Sequence, residues 1–404
     1  MSQAVHAIAT MDTKGQELEF LADRIRGTGV SVVTVDVGTR RPPTVVPDIS
    51  RENVAVFLPR DSQLSDLGTM DRGEAVTAMS EALHWYLLSE FGAGQVSGVI
   101  GIGGGGGTAL ITPAMQALPI GLPKVMLSTM ASGNVAPYVG CADITMMHSV
   151  VDVAGINSVS RRVLANAAHA IVGMVSHATP PAEDKPTVAM TMFGVTTACV
   201  DAVRQSLERR GYNCLVFHAT GAGGRAMEKL VASGLIDGVL DITTTEIADE
   251  IVGGVLSAGF ERLDAIIKKE IPFVISLGAL DMVNFGARET VPEEFNNRQL
   301  HVHNAEVTLM RTIPEENRKI ANFIAFKLNG AKAPWTLLIP QKGVSMIDAE
   351  GQPFYDREAD TALFEELEKR LEANEGRRII SLPHHINDPE FSNALVIEFL
   401  SMIK

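Results

Sequence analysis

The sequence predicts an α/β protein: two Rossmann-like lobes of parallel sheet, related by an internal pseudo-repeat, with a cleft between them. Three observations predict it. Short apolar runs alternate with segments of helical period along the whole chain. A segment rich in proline and charge, residues 179–186, interrupts that alternation near the middle. The second half of the chain repeats the order and spacing of strands and helices in the first half. The boundaries placed on this basis are 1–180 for an N-terminal lobe and 187–404 for a C-terminal lobe that holds a polar and histidine-rich cluster.

A chain of 404 residues, 46% hydrophobic and 20% charged, is long enough for about two or three domains, each with its own core. A formal charge of −14 argues against a general nucleic-acid or anionic-membrane surface, so a small-molecule substrate is the expected partner. Cys141, Cys199 and Cys214 have neither metal-type nor redox-type spacing, which suits a reducing compartment. The first ten residues lack a basic segment followed by a long apolar one, and no run reaches the length of a membrane span. A cytoplasmic protein is expected.

In the first lobe, residues 5–10 read as a strand and 14–26 as a helix, with Leu18, Leu21, Ala22 and Ile25 on one face. Residues 30–37 are a second strand ending at Asp36, a carboxylate placed where a ribose hydroxyl can be held. No Gly-x-Gly-x-x-Gly follows strand one, which disfavours a nicotinamide dehydrogenase. A helix over 71–90 carries Arg72 near its start. Residues 97–102 then form a buried strand that runs into Gly103, Gly104, Gly105, Gly106 and Gly107, followed by Thr108 and an apolar segment fit to start a helix.

Five missing side chains let backbone N–H groups approach an anion, and a helix N-terminus adds a favourable dipole. A phosphate or carboxylate is the expected guest. The Walker pattern is absent, since no Lys-Ser or Lys-Thr follows the glycines. The next strand, 124–128, ends in Ser128 and Thr129, whose hydroxyls suit phosphate or metal contact. A strand within 141–148 and a helix over 157–175 complete the lobe.

In the second lobe, strands at 187–193, 212–218, 237–242 and 271–276 answer those at 5–10, 30–37, 97–102 and 122–127. The turn His218-Ala219-Thr220-Gly221-Ala222-Gly223-Gly224-Arg225 offers a second anion seat. Asp241, Thr243, Thr244 and Glu246 follow one strand and Asp281 and Asn284 the next, a row of polar strand ends that reads as a site. In an extended Leu300-His301-Val302-His303-Asn304 the two imidazoles project to one side, able to bind a metal or to serve as acid and base. A third ligand would come from Asp281, Glu306, His384 or His385. Lys342 ends a strand over 335–343 and can meet an anion. Asp388 is a candidate N-cap for the last helix.

Taken together, Asp12-Thr13-Lys14-Gly15, Gly103 to Thr108, Gly278-Ala279-Leu280-Asp281-Met282-Val283-Asn284-Phe285, His301-Val302-His303-Asn304, Thr308-Leu309-Met310-Arg311-Thr312, the 335–347 stretch and His385-Ile386-Asn387-Asp388 resemble an ATP-binding family. The family is typified by the N-terminal region of the tomato mosaic virus resistance protein. The resemblance spans nearly the whole chain and implies two α/β subdomains, ATP at the glycine-rich loop and a homodimer. It does not supply a reaction.

The leading expectation is an ATP-binding enzyme of small-molecule metabolism with its site in the interdomain cleft. Gly103 to Gly107, Thr108, Asp36, Arg72, Ser128 and Thr129 would hold the cofactor, ATP with Mg²⁺. His301, His303, Asp281 and Asn304 would carry the chemistry. Two alternatives stand beside it: a metal-dependent hydrolase or lyase of phosphorylated or carboxylated sugar acids, and a nucleotide-gated binding module without catalysis.

Overall fold

The computed structural model describes residues 3–58, 70–177, 185–374 and 376–403. The chain divides into two compact units, Met1–Ala182 and Glu183–Lys404. Of the interrupting segment predicted at 179–186, residues 179–184 lie outside the described residues.

Among the described residues, unit 1 contains a five-stranded parallel sheet in the order β2-β1-β3-β4-β5, formed by Ala4–Ala9 (β1), Val32–Asp36 (β2), Val96–Gly103 (β3), Lys124–Ser128 (β4) and Thr145–His148 (β5). β1 and β4 are buried along their whole length, as expected of a sheet covered by helices on both faces. On one face the helices Met11–Arg26 and Ser158–Ser176 pack together over Val5, Ala7, Ile100 and Val125. On the other, Arg72–Gly92 and Gly105–Ala117 pack over Val35, Val99 and Met126. A Cβ on Gly101 would come within 2.6 Å of Met126 Sδ and 2.9 Å of Ile111, so glycine there lets the second pair of helices sit close to β3.

Unit 2 contains a six-stranded parallel sheet in the order β14-β13-β9-β8-β6-β7. Its strands are Thr187–Met192 (β6), Asn213–His218 (β7), Gly238–Thr243 (β8), Phe273–Gly278 (β9), Trp335–Pro340 (β13) and Arg377–Leu382 (β14). Read from β7, the first five strands follow the order second, first, third, fourth and fifth, as in unit 1, and β14 adds a sixth at the far edge. The two parallel-sheet lobes and their pseudo-repeat are therefore present as topology. A small antiparallel sheet, absent from the sequence expectation, joins Met282–Phe285 (β10), Val307–Arg311 (β12) and Leu300–Asn304 (β11), with β11 on its edge.

Local boundaries differ from expectation where caps decide them. The first helix begins at Met11 and is kinked at Lys14 (φ −126°, ψ 16°), so residues 11–13 form a separate first turn. Asp71 and Asn157 cap the helices Arg72–Gly92 and Ser158–Ser176 through capping boxes with Glu74 and Ser160. No helix among the described residues is long and apolar enough to cross a membrane.

Candidate functional site

In a parallel sheet ordered 2-1-3-4-5, successive connections leave in opposite directions from β1 and β3, which opens a crevice outside their carboxyl ends. In unit 1 that crevice faces the glycine run. The five glycines are not one loop. Gly103 ends β3, Gly104 is the N-cap, and Gly105, Gly106 and Gly107 are the first turn of the helix Gly105–Ala117. A Cβ on Gly103 would lie 3.0 Å from Gly107 Cα, so strand and helix approach as closely as backbone allows.

Gly104 offers no side-chain cap, and the N–H groups of a helix's first turn have no intrahelical acceptor. Two side chains from other elements border this turn. A Cβ built on Gly106 would be 3.8 Å from Arg72 Nη2, and one built on Gly104 would be 3.7 Å from Thr129 Oγ1. Arg72 is exposed and Thr129 half-buried, and neither side chain has a hydrogen-bond or ion-pair partner among the described residues. A guanidinium, a hydroxyl and open backbone donors thus surround one unfilled helix end, a constellation suited to an oxyanion.

The other predicted ligands of this lobe serve its construction. Thr108 and Ser128 are fully buried, and their hydroxyls stand 2.6 Å apart. Thr108 Oγ1 also donates to Gly104 O at 2.8 Å, and Ser128 Oγ accepts from Met130 N at 2.9 Å. These two hydroxyls, expected to contact phosphate or metal, bond to each other and lock the glycine turn to the end of β4. Asp36 is buried as well. Its Oδ1 accepts the N–H groups of Met11 (2.9 Å) and Gly38 (2.8 Å), fixing the turn after β1 to β2, and its Oδ2 has no partner among the described residues. Burial raises this carboxyl above its ordinary value, against the lowering pull of the two backbone donors.

Unit 2 fills the corresponding helix ends with its own side chains. The helix after β6, Thr197–Glu208, receives Asn387 Oδ1 on the N–H of Cys199 at 3.3 Å. The expected second anion seat at 218–225 already holds an anion: Glu246 Oε1 accepts from Gly221 N at 2.7 Å and Gly224 N at 3.0 Å. Glu246 in turn meets Arg262, which is 1% exposed and also binds Asp241 at 2.7 Å and Glu228 at 3.2 Å. Burial alone would lower the Arg262 guanidinium, but the three carboxylates together raise it. Thr243 is hydrogen-bonded to Thr196 (2.7 Å) and Thr244 to Ser276 O (3.1 Å). The row of polar strand ends read as a site is a buried network. Arg262, its centre, was missed because its partners lie up to 34 residues away in sequence.

Of the expected catalytic group, Asp281 precedes β10 while His301, His303 and Asn304 lie on β11. Asp281 is 1% exposed, with Oδ2 accepting from Ser345 Oγ at 2.8 Å and Oδ1 without a hydrogen-bond partner among the described residues. It belongs to a cluster with Arg311, Asp348 and Asp360, in which Arg311 Nη2 reaches Asp360 at 2.6 Å and Asp348 at 3.4 Å. Burial raises all three carboxyls, and Arg311 opposes it incompletely. His301 and His303 lie on edge strand β11, and β12 separates them from β10, the strand that follows Asp281. The register slips between Val302 and Asn304, a bulge at His303 that breaks the period of two on which a shared side depended. His301 packs near Phe354, its ring centroid 6.1 Å away. Asn304 Oδ1 accepts from Glu306 N at 2.8 Å and shapes the hairpin turn. Among the described residues, no group of three or more His, Cys, Asp or Glu could hold a metal ion.

At the C-terminal loop, Asp388 Oδ2 accepts from His385 N at 2.8 Å and makes no side-chain cap of the helix Pro389–Met402. His385 Nε2 bonds Ser345 O at 2.8 Å, and Lys342 is exposed.

Residues 3–180 match the N-terminal domain, and residues 185–403 the C-terminal domain, of the uncharacterised protein family UPF0261. A UPF0261 protein of Mesorhizobium japonicum is 51% identical over 402 residues, 99% of each chain, and one of Rhizobium meliloti is 52% identical over 98% of each. The tomato mosaic virus susceptible protein tm-1 of Solanum lycopersicum is 47% identical over 99% of this chain, which spans 56% of that longer protein. The chain belongs to the UPF0261 family, whose members include the tomato protein.

Proposed function

We propose that this UPF0261 protein binds a nucleotide, with ATP as the first ligand to test, through its phosphates at the Gly105–Gly107 turn of unit 1. One observation carries the reading: this helix end has no side-chain cap, and Arg72 and Thr129 stand beside it with no other hydrogen-bond or ion-pair partner among the described residues. Arg72 supplies fixed positive charge, the first-turn N–H groups supply donors, and the helix dipole adds to both. Mg²⁺ would accompany the polyphosphate as its counter-ion rather than through a dedicated cage of protein ligands. The resemblance to the ATP-binding family supports the same assignment.

The burial of Asp281 against Ser345, with His301 and His303 on the edge strand β11, favours, as the second reading, nucleotide binding without chemistry at those residues. Isothermal titration of the full chain with ATP, with and without Mg²⁺, tests the seat, and Gly105→Val and Arg72→Ala localise it. Binding that is lost in Gly105→Val and weakened in Arg72→Ala is expected. Unchanged binding in both variants removes the seat from the glycine turn.

A further inference from the structure

Unit 1 holds an open cavity of about 540 Å³ between the helices Arg72–Gly92 and Gly105–Ala117. The two helices pack together, and Ser80 Oγ donates to Leu110 O at 2.8 Å from one to the other. Glu81, His84 and Trp85 line the cavity from the first helix, Ala109 and Pro113 from the second. Its walls are mainly apolar, and its volume is that of a small-molecule site.

The polar groups in these walls are mostly acceptors. Pro113 lies inside its helix and has no N–H, so Ala109 O, four residues earlier, is left without its helical donor. Thr77 and Ser80 also reach the cavity, but their hydroxyl hydrogens are directed to Gly73 O (3.0 Å) and Leu110 O, which leaves oxygen lone pairs for a guest. The Glu81 carboxylate is exposed and has no hydrogen-bond or ion-pair partner among the described residues. No lysine or arginine among the described residues lines the cavity. The donors there are the ring N–H groups of His84 and Trp85.

Trp85 stands one helical turn beyond Glu81 on the same face and is 52% exposed. An indole left half in water adds little to the core, and its face attracts a cation. We propose that this cavity binds a protonated amine with an apolar body, the ammonium taken by Glu81 and the Ala109 carbonyl and the body by Trp85 and Pro113. An ammonium brings three donors and one positive charge, which answer a set of acceptors and an unpaired carboxylate; a phosphate or carboxylate ligand would meet repulsion there. The site is separate from the nucleotide reading and does not depend on it.

The test is calorimetric titration of the full chain with 2-phenylethylammonium and with 2-phenylethanol, which keeps the body and lacks the charge. Wild type should bind the amine roughly tenfold more tightly than the alcohol. Glu81→Gln should lose most of that preference and keep the affinity for the alcohol, and Trp85→Ala should weaken both ligands. Both side chains are exposed, so the Tm of each variant should equal that of wild type. Trp335, the other of the two tryptophans, is fully buried in unit 2. A change of indole fluorescence on amine binding that vanishes in Trp85→Phe therefore places the amine at this cavity. Equal affinity for amine and alcohol, unchanged amine affinity in Glu81→Gln, or no amine binding at millimolar concentration overturns the proposal. If no amine binds and Trp85→Ala dissociates a dimer, a second copy of the chain is the occupant and the proposal falls.

Discussion

Thr108 Oγ1 and Ser128 Oγ lie 2.6 Å apart in the core of unit 1, joining the first turn of the helix after β3 to the end of β4. The helix turn and the strand end that border the proposed seat are therefore joined by a buried bond. Thr108→Val keeps the shape and removes that bond. A loss of about 1–2 kcal/mol in unfolding free energy is expected from a buried hydroxyl pair. Urea denaturation checks it, and an unchanged midpoint would show that the pair contributes nothing.

Arg72 is exposed and engages no other described residue, so its removal should leave stability nearly untouched. A charge-assisted contact to phosphate is worth about 1.5–3 kcal/mol, so Arg72→Ala is expected to weaken tripolyphosphate binding roughly tenfold or more. Salt should narrow the gap between variant and wild type. The measurement is affinity at two ionic strengths, alongside the Tm.

Glu246 links Arg262 to the N–H groups of Gly221 and Gly224, all inside unit 2. Glu246→Ala would leave a buried guanidinium short of one partner and two amides without an acceptor. Breaking a buried pair in this way costs about 3–5 kcal/mol. A large drop in the urea midpoint is expected, and a variant as stable as wild type would refute the structural role given to this carboxylate.

Asp249 accepts from Asn284 N, Asn284 Nδ2 and Leu256 N, yet burial pushes its carboxyl up to about 7. The folded state then holds a proton that the unfolded chain releases near pH 4. Stability from this group is full below pH ~4 and declines as pH rises towards about 7. His6 acts in the opposite sense, since burial holds its ring near about 4 and the unfolded chain takes up a proton first. Subtracting the profile of Asp249→Asn from that of wild type cancels His6 and isolates Asp249. The difference should fall across pH 4–7, and a flat difference would contradict the assignment.

His303 is exposed at the β11 bulge and lacks companion ligands among the described residues. His303→Ala is expected to change stability by less than about 0.5 kcal/mol, as for most surface substitutions. It should also leave the response to added Zn²⁺ unchanged. A Zn²⁺-dependent rise in Tm that the variant abolishes would restore His303 as a metal ligand.

The sequence by itself determined the two α/β lobes, their repeated strand order and the position of the glycine turn. Apolar runs, helical periods and glycine are local signals, written where they act: β3 and its five glycines read the same in one dimension as in three, except that Gly105 to Gly107 belong to the helix. The tertiary structure alone decided which polar residues remain available to a ligand. Thr108, Ser128, Asp36, Asp241, Glu246 and Asp281 carry the side chains of a binding site, but each is engaged by a group from another element: Ser128 on β4, Met11 after β1, Arg262 and Ser345 far along the chain. Arg72 and Thr129 remain open because no such partner arrives from the described residues. Whether a hydrogen-bonding group is satisfied depends on distances fixed only after the sheet orders its strands, and the pattern along a single chain does not carry those distances.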